Sequence, residues 1–265
     1  MAAAQIPGDA VHLLEVKSIK KAALPIVFII VGLLGLYIIV HGLSTSTGNG
    51  NVPGNAGQAP APSTENSASS AEDLWQQGVN YQFGHGVPVN FERAVSLYRQ
   101  SAEQGFAHGQ AALGIMYQFG HGVPQDYKEA IKWFQKAADQ NLAEGQNSLG
   151  VMYQFGHGVP QDYQKAVELY KKAAEQGLPE GETNLGVMYE WGHGIKRDYK
   201  VAAKYYKTAG DQGFGRAQYF LGSLYERGFG VPVDRKMAMT LYQKAANENV
   251  PEAITALRRL SPDKK

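Results

Sequence analysis

The chain contains no cysteine. That excludes a disulfide scaffold and any thiolate metal site, and it leaves no residue for a lipoprotein to acylate. Net charge is nearly absent as well, +1 over 265 residues, so no global field draws nucleic acid. The charge that is present is uneven. Acids slightly outnumber bases across 71–142, and bases lead from Pro179 onward, where Lys196, Arg197, Lys200, Lys204 and Lys207 form a solvated cluster. Catalytic signatures are missing too. There is no His-Glu-x-x-His and no Gly-x-Ser-x-Gly, and no carboxylate pair stands apart from the surface charges. The loops containing Gly-x-Gly lack the Lys-Ser/Thr that a phosphate cradle needs. Ser18 and Lys21 formally match Ser-x-x-Lys, but they lie in a basic flank without companion motifs. No catalytic residue, cofactor or metal ligand is assigned, and the chain reads as a non-enzyme.

From 22 to 43 there is no charged residue at all. This apolar run has the length of a bilayer-spanning helix. It is longer than the apolar core of a signal peptide and lacks a clean Ala-x-Ala exit, so an uncleaved anchor is the better reading. Lys17, Lys20 and Lys21 precede it, and no Lys or Arg follows until Arg93. By the positive-inside rule, residues 1–21 form a cytoplasmic tail and the rest is exported. In a bacterium that means an inner-membrane protein with a periplasmic domain. Residues 44–70 are Gly, Ser, Asn, Pro and Ala with a single charge, Glu65, and read as a disordered tether.

What remains is a repeat with a 36-residue period, in blocks 71–106, 107–142, 143–178, 179–214 and 215–250. Gly78, Gly114, Gly150, Gly186 and Gly222 share one position; Ala94, Ala130, Ala166, Ala202 and Ala238 share another. A fixed period of this length marks stacked units that cannot bury their apolar faces singly. In 107–142, Leu113, Gly114 and Tyr117 recur at helical spacing, and Gly120, Gly122 and Pro124 stop that helix. Asp126 then caps a second helix, with Glu129 placed to complete a capping box. The second helix buries Ala130, Ile131, Phe134, Ala137 and Ala138, and Asn141 suits the left-handed residue that ends it. Gly114 and Ala130 keep the two helices close. Each block is therefore a helical hairpin. After Val250 one more helix follows, with Arg258 and Arg259 where other blocks carry Gly114 and its neighbour, as an end cap would.

Gln146, Leu149, Gly150, Met152, Tyr153, Gly156, Gly158, Val159, Pro160, Asp162, Tyr163, Ala166, Tyr170, Lys172, Ala173, Ala174, Gln176 and Gly177 together resemble the Sel1-like repeat, a relative of the tetratricopeptide repeat. Gly210 and Phe229 are small departures from it. The resemblance covers 71–260, with 261–265 left as a tail. It implies an all-α fold: a right-handed α/α superhelical solenoid of five hairpins plus a C-terminal capping helix, here preceded by one transmembrane helix. It also implies an adaptor or scaffold for protein complexes. Disulfide-stapled members have been linked to β-lactam binding, and the absence of cysteine argues against that branch.

His85, His121, His157 and His193 recur at one loop position. Equivalent residues of neighbouring units stand about 10 Å apart, so they cannot share one metal, and a loop-structural or solvent-facing role is expected. The more promising surface is the side of the first helices opposite Leu113, Gly114 and Tyr117. It carries the positions of His108, Ala111, Ile115, Gln118 and Phe119. Across the blocks these offer an apolar and aromatic ladder with polar groups beside it, suited to an extended peptide or a partner helix. Trp75, Asn147, Thr183, Glu190, Trp191, Tyr219 and Arg227 are the expected contacts. The competing reading packs these aromatics between successive first helices. The expected function is a membrane-tethered periplasmic adaptor holding a protein or peptide partner. The alternatives are a cell-wall fragment or small-ligand binder with weak hydrolase activity, and a scaffold of inverted topology facing the cytosol.

Overall fold

The computed structural model describes residues 69–261. The expected span 22–43, the flank 1–21, nearly all of the tether 44–70 and most of the tail 261–265 lie outside the described residues. Among the described residues no helix is long and apolar enough to cross a membrane.

Eleven helices and no strand occur among the described residues. Five hairpins pair α1 (Ala71–Phe83) with α2 (Phe91–Glu103), α3 (Ala107–Phe119) with α4 (Tyr127–Asp139), α5 (Ala143–Phe155) with α6 (Tyr163–Glu175), α7 (Pro179–Trp191) with α8 (Tyr199–Asp211), and α9 (Gly215–Arg227) with α10 (Arg235–Asn247). A single helix, α11 (Pro251–Leu260), follows.

The helix ends follow from particular residues. Each first helix stops at a glycine (Gly84, Gly120, Gly156, Gly192, Gly228) whose φ lies between 69° and 75°. Its amide donates back to the last turn, for example from Gly156 to the Met152 carbonyl. Each second helix starts at a side-chain cap: Asn90, Asp126, Asp162, Asp198 or Asp234. The Asp126 carboxylate accepts from the Lys128 and Glu129 amides. Glu129 does not close the expected capping box, because its carboxylate pairs instead with Lys132 one turn on. The reciprocal box forms at the start of α1, between Ser70 and Asp73. Asn141 and Asn249 end second helices at φ 62° and 59°, where the other blocks use glycine.

Hairpins close over an aromatic ring. A Cβ added at Gly78, Gly114, Gly150, Gly186 or Gly222 would lie 2.5–2.9 Å from the ring of Tyr98, Phe134, Tyr170, Tyr206 or Tyr242. All five rings are fully buried. The ring therefore occupies the volume that a side chain would fill, and the glycine sets the helix separation. Each second helix also packs against the first helix of the following block, so the core runs continuously through the stack. Successive first helices touch one another, whereas successive second helices have no comparable contact. First helices thus line the inner wall of the curve. At the end of the stack α11 buries Ala253, Ala256 and Leu260 against α10 and exposes Arg258. Arg235 donates to the Leu260 carbonyl at 3.5 Å, closing the last turn.

Candidate protein-binding groove

The loop histidines resolve first, because their geometry assigns them to the stack. His121 lies over Phe91, His157 over Tyr127 and His193 over Tyr163, with ring centroids 5.1, 4.8 and 4.6 Å apart. Each pair joins the loop of one block to the first residue of the preceding second helix. Phe229 repeats the contact on Tyr199 at 4.8 Å, so the block that lacks the histidine keeps the ring. Arg235 stands where those aromatic partners stand, in the fifth block. Burial lowers the proton affinity of His157 below the ordinary histidine range, which favours the neutral, stacking form. Among the described residues no group of three or more metal-ligating side chains converges.

The inner wall divides the expected contacts into two sets. In the first two hairpins it is closed by packing. Trp75 is 2 % exposed, with its ring 5.9 Å from Phe106 and 5.6 Å from His108. Ala111, Ile115 and Gln118 are buried too. Thr183, 1 % exposed, turns its hydroxyl onto the Pro179 carbonyl at 2.7 Å. Trp75 thus packs against α3, while Thr183, in the fourth hairpin, directs its hydroxyl within its own helix.

Toward the C-terminal hairpins the wall opens. Trp191, the last residue of α7, is 58 % exposed. Tyr219 is half-buried, with its ring 5.5 Å from Phe220 and 5.6 Å from Tyr242. Asn147 accepts a 2.8 Å hydrogen bond from Asn184, which ties α5 to α7 along the wall. Glu190 and Arg227 come together: Arg227 Nη2 donates to Glu190 Oε1 at 2.8 Å, and the Tyr206 hydroxyl, kept protonated by burial, donates to Oε2 at 2.9 Å. One helix on, Arg259 pairs with Glu226, which also accepts from Tyr242, and Arg259 holds that carboxylate below its usual range. In the earlier blocks Gln82 and Gln154 take the place of these glutamates and accept from Tyr98 and Tyr170 at 2.5 Å.

One residue on this wall was not singled out in the sequence. Glu180 lies on the side of α7 opposite Leu185, Gly186 and Tyr189, beside Val187 and Trp191. Both of its carboxylate oxygens are buried, and neither accepts a hydrogen bond from another residue. Burial, with Glu144 adding to it, pushes this carboxyl up to about 7 against the opposing pull of its own backbone amide and of Arg216. The signal was present in the period. The His108 position reads Glu72, His108, Glu144, Glu180, Arg216 and Glu252 across the first helices, a charged column in the same register as the aromatic ladder.

Solved structures carry the same architecture. A Sel1 repeat protein from Oxalobacter formigenes is 33% identical over 74% of this chain and 80% of that one, with a TM-score of 0.67. A protective antigen of uropathogenic Escherichia coli, described as an SLR fold, is 34% identical over 74% of this chain, with a TM-score of 0.61. The match spans 43% of that antigen's length. An immunity protein from Pseudomonas aeruginosa is 25% identical over 69% of this chain and 67% of its own, with a TM-score of 0.52. A comparison with curated proteins finds no match. With the Sel1 repeat model matching residues 76–106, 107–142, 143–178, 179–214 and 215–250, the chain belongs to the Sel1 repeat family.

Proposed function

We propose that this protein is a membrane-tethered adaptor whose inner wall, between α5 and α11, holds a protein or peptide partner. Sel1 repeats in general are protein–protein interaction scaffolds and typically non-catalytic. The observation that carries the finer reading is the exposure of Trp191, 58 %, at a position where the first three blocks hold half-buried phenylalanines. A large exposed aromatic beside a fixed Glu190–Arg227 pair matches the anchors and polar rim of protein interfaces. The anchor, the cytoplasmic tail and the periplasmic side of the repeat domain rest on the uncharged run 22–43 and its lysine-rich flank. A tethered adaptor raises the local concentration of whatever it binds near the membrane.

Replacing Trp191 and Tyr219 together by alanine is expected to weaken capture of native envelope partners by about thirtyfold or more, since a single aromatic anchor buried in an interface contributes at least about 2 kcal/mol. Quantitative pull-down with the full-length chain measures this, and helical circular dichroism should be unchanged. Capture that survives the double substitution removes the groove reading. A reporter fused after Lys265 and active in the cytoplasm removes the topology.

A further inference from the structure

Two rows of carboxylates run along the inner wall, and they differ in one respect. Glu190 and Glu226, near the ends of α7 and α9, are each neutralised by an arginine of the next first helix. Glu144 and Glu180, near the starts of α5 and α7, form no ion pair among the described residues. The basic group whose charge acts on Glu180 is Arg216 on α9, which Glu252 on α11 also attracts, and Arg216 forms a salt bridge with neither. The wall therefore carries uncompensated negative charge at one level and balanced charge at the other. A carboxylate buried with no donor beyond its own backbone amide costs stability in the free protein when it is ionised, and a cation brought by a partner would offset that cost.

Resting on the groove reading above, we propose that Glu180, with Glu144 beside it, receives a lysine or arginine side chain from a partner segment lying along the inner wall. The segment's apolar residues meet Trp191 and Tyr219, and its cation enters between α5 and α7. A fixed carboxylate in a partly dry site is a stronger acceptor than one in water. The raised proton affinity of Glu180 adds a signature. The free carboxyl is partly protonated near pH 7, and a cation binds only the ionised form. Binding should therefore strengthen as pH rises from 6 to 8. Glu144 on α5 and Arg216 on α9 are the charged groups that face it from neighbouring helices.

The test selects random twelve-residue peptides displayed on phage against the full-length protein. Each selected peptide is synthesised with its basic residue intact and with norleucine in its place. The proposal expects selected peptides to carry a Lys or Arg whose replacement weakens binding at least tenfold. It also expects Glu180→Gln to abolish that difference together with the pH dependence. Peptides that are lost in Trp191→Ala but bind equally well with norleucine overturn the charge recognition and leave the groove standing. Selection of acidic peptides does the same. Peptides indifferent to both substitutions, or no selected peptides at all, overturn both readings.

Discussion

Gly194→Ala is expected to be among the most damaging single-atom changes in the repeat domain, at about 2–5 kcal/mol. Gly194 sits at φ 65° in the loop of the fourth block. A Cβ there would lie 2.7 Å from the Gln164 amide nitrogen and closer still to the Tyr163 carbonyl group. Two costs therefore add: strain of a side chain in the left-handed region, about 1–2 kcal/mol, and a clash with backbone that no rotamer can relieve. The clash falls on the seam between blocks three and four, where His193 stacks on Tyr163. Because a solenoid is held by nearest-neighbour interfaces, weakening one seam should also broaden or split the melting transition. Gly177 supplies the control. It has φ 79° with nothing within 4 Å of an added Cβ, so Gly177→Ala should cost only the strain. Gly177→Asn should be nearly neutral, since Asn141 and Asn249 already hold that position. Thermal melts of the three variants check this; equal losses for Gly194→Ala and Gly177→Ala would contradict the seam.

Glu180→Gln is expected to stabilise the protein at pH 8 by about 3 kcal/mol and to do nothing at pH 4. The Glu180 carboxyl is pushed from the usual 4.5 up to about 7 by burial first, and then by Glu144. The native state therefore holds this proton more tightly than the unfolded chain. Its contribution is intact below about pH 4.5, declines as pH rises to about 7, and is flat beyond. Each unit of difference is worth about 1.4 kcal/mol, which sets the size of the effect. Glutamine keeps the shape and carries no charge, so the penalty disappears. Melting temperatures of the two proteins across pH 4–8 should converge at the acid end. A constant offset, or a less stable variant at pH 8, would show that Glu180 already has a partner in the free protein.

Most of the helix framework was legible in the sequence because its determinants are local. The glycine that stops each first helix, the Asx residue that caps each second helix and the left-handed Asn141 act within a few residues of themselves. The close approach at Gly114 was readable from the period, since a small residue recurs there in every block, but that the Phe134 ring fills the space in front of it is seen only in the packing. The Glu129 box failed because an exposed glutamate has two local options, and Lys132 one turn away supplies a charge that the backbone amide does not. The histidines needed the stack itself. Their partners Phe91, Tyr127 and Tyr163 belong to the preceding block, so nothing near His121 or His193 in sequence announces them.

The wall was harder to read than the framework. One helical register holds Trp75, which is buried beside Phe106, and Tyr219, which is half-open to solvent. Helical spacing assigns a residue to the wall but is silent on whether the neighbouring block covers it. Coverage depends on the side chains at the start of the following first helix. Phe106 and His108 close over Trp75, whereas the wall around Trp191 is left open. Glu180 escaped notice for a related reason: a lone glutamate on a helix is ordinarily solvated, and only the packing shows that its oxygens are not.

Site-directed photo-crosslinking in living cells tests the central claim most directly. A photoreactive residue at Val187, on the inner wall, is compared with one at Lys204, on the exposed face of α8. The account predicts a discrete adduct with a partner protein from position 187 and none from 204. An adduct formed from 204 alone would place the partner on the second helices and contradict it.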